Sequence, residues 1–446
     1  MSITKRLLGT ANTRIYASLE DMDVSLEEEV IAASAAEKEL NEGAAESEEI
    51  DRLSGVAAQT AQTVDYIEQQ VNAPAAAGET EGATQNEVAL AEQVANLATA
   101  GTGDDAETIM PSSESYIGGT ISTEGFKEQV RGIVKAVIEA IKRLWERLKR
   151  FWKHTMSRLS SLKRDAKDIA ERGKKATGTA KDKKISISGT LAGNLSIGGV
   201  VKKTGPEIMA GLKALETRIE HTNDFLGDVA TAGEDIADAI KDVDPEKAAA
   251  DEAAFAAKFA TIGGKMITKI RMTTTQDTRY KENDWSAFES DNLLGDVRLF
   301  SRKRSSSAQV NNTRQWGSLR YTLDSYAPKV KEHSDVEIPT LTTTQISDLA
   351  EQIVDMCDQM AYYADGKGST KIEKARKDIE SALNKIQSGS DSDEVTTDNS
   401  AALRRMISLG HAFCNWATNP AAPLVNHTCT IARSVLTVCT KSLAKY

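Results

Sequence analysis

Cysteine is scarce and late in this chain. Of 446 residues only four are cysteine, Cys357, Cys414, Cys429 and Cys439. Without CxxC spacing they build neither a disulfide scaffold nor a redox motif, and they suit a reduced intracellular protein. Aromatic residues make up 5% of the chain, which excludes large aromatic cores. No apolar run approaches the roughly 18–20 residues of a membrane-spanning helix. The opening Met1-Ser2-Ile3-Thr4-Lys5-Arg6-Leu7-Leu8 is basic but leads into no apolar h-region, so a secretory signal is not expected. Length alone leaves room for two or three domains.

The first 124 residues lack positive charge. They hold 5 Lys/Arg against 24 Asp/Glu, a net of −19, with three tyrosines and no Trp or Phe. So little apolar text under so much charge cannot offset chain entropy, and a partly disordered leader with weak helices is expected. Residues 125–446 hold 50 Lys/Arg against 42 Asp/Glu, a net of +8. The sign changes at Ser122-Thr123-Glu124-Gly125. A chain cut there would exchange an acidic protein for a basic one, and with it the class of partner it attracts.

Downstream of the change, Val130, Val134, Val137, Ile141, Leu144, Leu148 and Phe151 recur at alternating spacings of four and three. That is one apolar helical stripe, broadened by Ile133, Ile138, Trp145, Trp152 and Met156. Between its members stand Lys127, Arg131, Lys135, Lys142, Arg143, Arg147, Lys149, Arg150 and Lys153. Over 125–184 there are 19 Lys/Arg against 7 Asp/Glu. Three readings of this basic amphipathic helix stay open. Its stripe is a core or oligomer seam with a solvated cationic face; or it lies in a membrane interface with Trp145 and Trp152 at headgroup depth; or it is a phosphate-binding surface.

The fold class expected is mainly α. After the leader (1–124) and the basic helical segment (125–184) comes a mixed region (185–340), and a helical C-terminal unit (341–446) closes the chain. Ile185–Gly189 and Leu195–Val201 alternate at period two around glycines and read as a small β-hairpin. Thr204-Gly205-Pro206-Glu207 marks a helix start, with the helix running to about Val243. Residues 265–340 read as short strands or loops. Helices are expected near 343–363, 370–387, 399–417 and 427–443.

Enzyme signals are missing. Gly263-Gly264-Lys265 is followed by Met266 and lacks the rest of a P-loop, and no HExxH, GxSxG or paired-carboxylate arrangement occurs. His411, Cys414, His427 and Cys429 offer a tetrahedral metal set on paper, but they stand in apolar helical text, where cysteine serves as a small hydrophobe. The expectation is no enzyme, no metal and no cofactor, with an unrecognised active site in 205–446 as the weakest alternative.

The acidic Ala/Glu-rich leader, the Ser122–Gly125 junction and the following Phe126-Lys127-Glu128-Gln129-Val130-Arg131-Gly132-Ile133-Val134-Lys135 helix resemble the internal head proteins of giant tailed phages of the phiKZ type. Lys183-Lys184-Ile185-Ser186-Ile187 adds lesser support, and beyond about residue 205 the resemblance carries nothing. It implies a precursor whose leader the prohead protease removes after Ser/Ala/Gly-x-Glu, here after Glu124. It further implies a product kept in the capsid interior with packaged DNA, beside scaffold or inner-body proteins, and open to ejection into the host. Assembly would take place in the host cytoplasm. The competing reading is a membrane-active or toxin-like effector held inactive by its acidic leader, with the host membrane as partner.

Overall fold

The computed structural model describes residues 116–117, 120–121, 123–241, 271–275, 285–305, 319–325, 333–364, 367–389 and 420–446, with isolated positions between 247 and 277 and at 412–413 and 416–417. Most of what it describes is helix, with a smaller β region, as the periodicity indicates. Strands β1 (Tyr116–Ile117) and β2 (Thr120–Ile121) pair antiparallel across Gly118-Gly119, at the end of what reads as linker. A Gly-Gly pair between β-forming residues is the hairpin signal in that stretch.

Helix α1 (Thr123–Lys175) is 53 residues long, about 80 Å at 1.5 Å per residue. No proline interrupts it, and Arg172, Lys174 and Lys175 in its last turn offset the negative end of the helix dipole. Its side chains are described from Lys149 on, with Lys142 and Glu146 before that. From there the apolar stripe is core: Phe151, Leu159, Leu162, Ala166, Ile169 and Ala170 are buried.

Beyond α1 the expected hairpin is rearranged. Strand β3 (Lys184–Ile187) pairs with β10 (Val336–Pro339), placing Ile185 against Ile338 and Ile187 against Val336. The reason is local. Ser188 accepts a hydrogen bond from the Leu191 backbone N–H and caps a short helix α2 (Gly189–Asn194), which ends the strand before it can turn back. A hairpin does form, but wholly within the second half, between β4 (Ser196–Ile197) and β5 (Val200–Val201). Its turn residues Gly198 and Gly199 have φ of 62° and 77°, the left-handed pair a two-residue hairpin turn requires.

Helix α3 (Gly205–Lys241) opens on a carboxylate cap: the backbone N–H groups of Lys203 and Thr204 and the Thr204 hydroxyl all donate to Glu207 Oε2. Residues 273–325 then form an antiparallel sheet in the order β6 (Thr273–Thr274), β7 (Trp285–Glu289), β8 (Val297–Arg304), β9 (Arg320–Ser325). Helix α4 (Thr343–Ala364) starts on a Thr342/Gln345 capping box. Helix α5 (Lys367–Gly389) continues past it, and α6 (Ala421–Leu443) closes the described chain. The last starts six residues before the expected 427, because Pro423 sits in its first turn, where proline costs no helical hydrogen bond.

Two buried clusters hold these elements. One gathers Phe151, Phe225, Val229, Ile236, Tyr321, Phe413 and Trp416. The Trp416 indole N–H donates to the Leu319 carbonyl at 3.2 Å, and the Phe225 and Tyr321 rings meet edge-on at 5.0 Å. The other gathers Leu162, Ile208, Leu212, Ile353, Met356, Ile431 and Val435. Trp152 packs against both. Helix α1 is therefore the spine of the molecule as well as its most basic element.

Candidate functional site

The junction is tighter than a linker. Helix α1 begins at Thr123, so Glu124 and Gly125 stand in its first turn, directly after the β1–β2 hairpin. Serine before a helix and glutamate inside its first turn are both helix-start preferences, which is why the helix takes in these residues. A protease that binds extended backbone would have to open one terminal turn there. Gly125, the poorest helix former after proline, lowers that cost.

The basic face of α1 is partly spoken for. Lys142 Nζ lies 3.7 Å from Glu380 and Lys149 Nζ 3.3 Å from Glu373, both on α5. Lys163 pairs with Asp358 and Lys174 with Glu351, both on α4. The order of partners shows α4 and α5 running end to end, antiparallel to α1, with one ion pair every few turns. Arg164, Arg172 and Lys175 take weaker partners on their own helix at 3.5–3.6 Å. Surface pairs of this kind contribute at most about 1 kcal/mol each, so they fix register more than stability. On α1 and in the turn that follows it, the described exposed cations that meet no carboxylate are Arg150, Lys153, Lys167, Lys181 and Lys183.

Of the candidate contact residues, Arg150 and Lys153 are therefore exposed and open to an anion, while Lys142 and Lys149 are ion-paired. Trp152 is turned inward and lines a cavity of about 10 Å³ with Ile219, Thr222, Asn223, Met360, Ala421, Leu424 and Val425. From Phe151 on, α1 has no apolar face left for a lipid surface, and among the described residues no helix is long and apolar enough to cross a membrane. The side chains of Lys127, Arg131, Lys135, Arg143, Trp145 and Arg147 lie outside the described residues, although their backbone is helical.

One cation of α1 is buried among its described side chains. Arg158 is 6% exposed and donates from Nη1 to Asn426 Oδ1 on α6 at 2.9 Å. It interacts with the Cys429 thiol, which burial pushes up in pKa and which Arg158 and Arg433 pull back. This polar seam joins α1 to α6 with no sequence signal, since 268 residues separate the partners.

The metal arrangement does not assemble where it can be seen. His427 Nε2 is 2.7 Å from the Leu294 carbonyl oxygen, and burial lowers the imidazole to about 4. Cys429 is enclosed in the core, His411 and Cys414 lie outside the described residues, and no metal-holding group of His, Cys, Asp and Glu occurs among the described ones.

A serine, an aspartate and a histidine do meet once. Ser196 Oγ is within hydrogen-bond reach of both the Asp296 carboxylate and the Gly193 carbonyl. The Gly199 N–H donates to Asp296 Oδ1 at 2.8 Å, and His333 Nε2 is 3.6 Å from Oδ2. The order is wrong for nucleophilic catalysis, which needs the imidazole between hydroxyl and carboxylate. Here the carboxylate stands in the middle and Ser196 is fully buried. The group is a clamp, fastening the β4–β5 hairpin to the Gly295-Asp296 turn, whose two residues have φ of 83° and 55°.

Compared with known proteins, residues 15–441 match the model of the phiKZ-like phage internal head proteins. The chain belongs to that family, and it is a structural protein of the phage head interior. No curated protein and no solved structure matches it.

Proposed function

We propose that the chain is made in the host cytoplasm as a precursor, cut by the prohead protease between Glu124 and Gly125, and retained in the capsid against packaged DNA. It has no enzymatic role. The observation that carries this reading is the coincidence, at one peptide bond, of a charge reversal from −19 to +8 with the first turn of the most basic helix. Before the cut, the leader supplies enough negative charge to keep the body off nucleic acid and to engage scaffold or sister proteins. Afterwards the unpaired exposed cations of α1, with Lys181 and Lys183 after it, face phosphate. Contact of this type is set by counterion release and reads no sequence.

A net of +8 spread over 322 residues is modest, so the product settles among phosphates without condensing them by itself. Ejection with the genome is compatible with the same chemistry, since contacts held by counterion release dissociate when salt rises. The membrane-active alternative draws no support from Phe151 and Trp152, which serve the core.

The test compares the full chain with protein starting at Gly125, on random-sequence duplex DNA at low salt. The product should bind and the full chain should bind at least about tenfold more weakly. Equal binding by both refutes the masking role.

A further inference from the structure

Six tripeptides downstream of the junction have the same form as Ser122-Thr123-Glu124: a small residue, any residue, then glutamate. They are Gly205-Pro206-Glu207, Ala214-Leu215-Glu216, Ala232-Gly233-Glu234, Ala250-Asp251-Glu252, Ala287-Phe288-Glu289 and Ser392-Asp393-Glu394. The last lies outside the described residues, and Ala250–Glu252 is helical. The other four are held by side-chain hooks, close packing or strand pairing inside the fold.

Glu207 stands at a helix start, as Glu124 does, but its carboxylate is hooked by three donors from Lys203 and Thr204, and these hold it below the usual carboxylate range. Gly205 beside it is packed so closely on Gln345 that a Cβ would come within 2.6 Å of Cδ. Ala214–Glu216 lies in the middle of α3, with Leu215 fully buried and Glu216 accepting from Gln359 Nε2 at 3.1 Å. Ala232–Glu234 is locked further along the same helix. A Cβ on Gly233 would meet the Phe413 ring at 2.5 Å, and Glu234 is ion-paired to Lys374 at 3.0 Å. Ala287–Glu289 belongs to β7, which is hydrogen-bonded on both sides, and Glu289 meets Arg298 at 2.9 Å.

To fit an extended-binding protease, each of these four would have to tear a core helix, a cap or an inner strand out of the fold. The junction gives up one terminal turn. We infer that the tertiary fold, and not the tripeptide, selects the cut, so that folding must precede processing. An unfolded copy presents the internal triplets on equal terms with Glu124. The step that matures a folded copy therefore fragments one that has failed to fold. This inference rests on the processing reading above.

The probe is a glutamyl endopeptidase acting on the full chain, with fragments identified by mass. In native buffer, cuts after Glu207, Glu216, Glu234 and Glu289 should be at least about a hundredfold slower than the cut after Glu124, because they need sub-global opening. In urea that unfolds the chain, all five should be cut at similar rates. Thr204→Ala removes one hook from Glu207 and should speed that cut alone, a local effect that general unfolding cannot mimic. Cutting after Glu216 or Glu234 at the junction's rate in the native chain overturns the inference. So does native sparing of Glu124 along with the other four, since the fold then makes no distinction. The processing reading fails separately, if protein from capsids still starts at Met1 or Ser2 while native digestion does discriminate.

Discussion

Replacing Arg150 and Lys153 together by alanine should change how DNA binding depends on salt more than it changes stability. Both side chains are exposed on α1 and meet no carboxylate among the described residues, so their removal opens no buried charge. At about 0.9 counterions released per phosphate contact, removing these two should make the fall of log K with log salt shallower by about 1.8 in slope. Between about 50 and 200 mM salt the double variant should then lose roughly tenfold less of its affinity than the product starting at Gly125 does. Fluorescence anisotropy on a random-sequence duplex measures both. Alanine at Lys149 and Lys163, whose charges are already met by Glu373 and Asp358, should move the slope less than Arg150 and Lys153 do. An unchanged slope in the Arg150→Ala/Lys153→Ala protein, or a larger change on removing Lys149 and Lys163, would refute this assignment of the contact face.

Three further outcomes concern the fold. His427 is held neutral by burial, near 4 when folded against about 6.5 when unfolded, so the unfolded chain binds the extra proton. Stability should therefore be unaffected above about pH 6.5 and fall by roughly 2–3 kcal/mol as pH drops toward 4; a chemical-denaturation series with His427→Gln as control, which should lose that slope, checks it. Gly233→Ala should cost about 1–3 kcal/mol, because the new methyl meets Phe413 and Ala375 inside 3 Å and overpacking outweighs the helix-propensity gain of alanine; a thermal melt reads it directly. Burial raises the thiols of Cys357, Cys429 and Cys439, the last to about 12, so native protein should take up a maleimide at none of the three until it is unfolded.

How much of this was legible in the sequence depended on how local the cause was. The α1 stripe is local, and its 3–4 spacing gives both the helix and the buried face from Phe151 on. Caps are local too, and Thr204 with Glu207 marked the start of α3. The start of α6 was placed six residues late, at 427 against Ala421, since Pro423 is harmless in a first turn. Strand partners were not legible. Ile185 and Ile187 alternate as a strand should, but nothing in that alternation says that the partner is Val336–Pro339, about 150 residues away, and not the next strand along. The ion pairs on the basic face were hidden for the same reason, since Lys163 meets Asp358 only through packing. Charge reversal at Glu124 was plain from counting. That the Glu124–Gly125 bond would sit inside the first helical turn was not, although Ser122 and Glu124 are both residues a helix start favours.

The central claim is most directly tested on protein extracted from purified capsids, by intact mass together with sequencing of its first residues. The account predicts a chain that begins Gly125-Phe126-Lys127 and lacks the mass of residues 1–124. A capsid-borne chain that still carries those residues would contradict it.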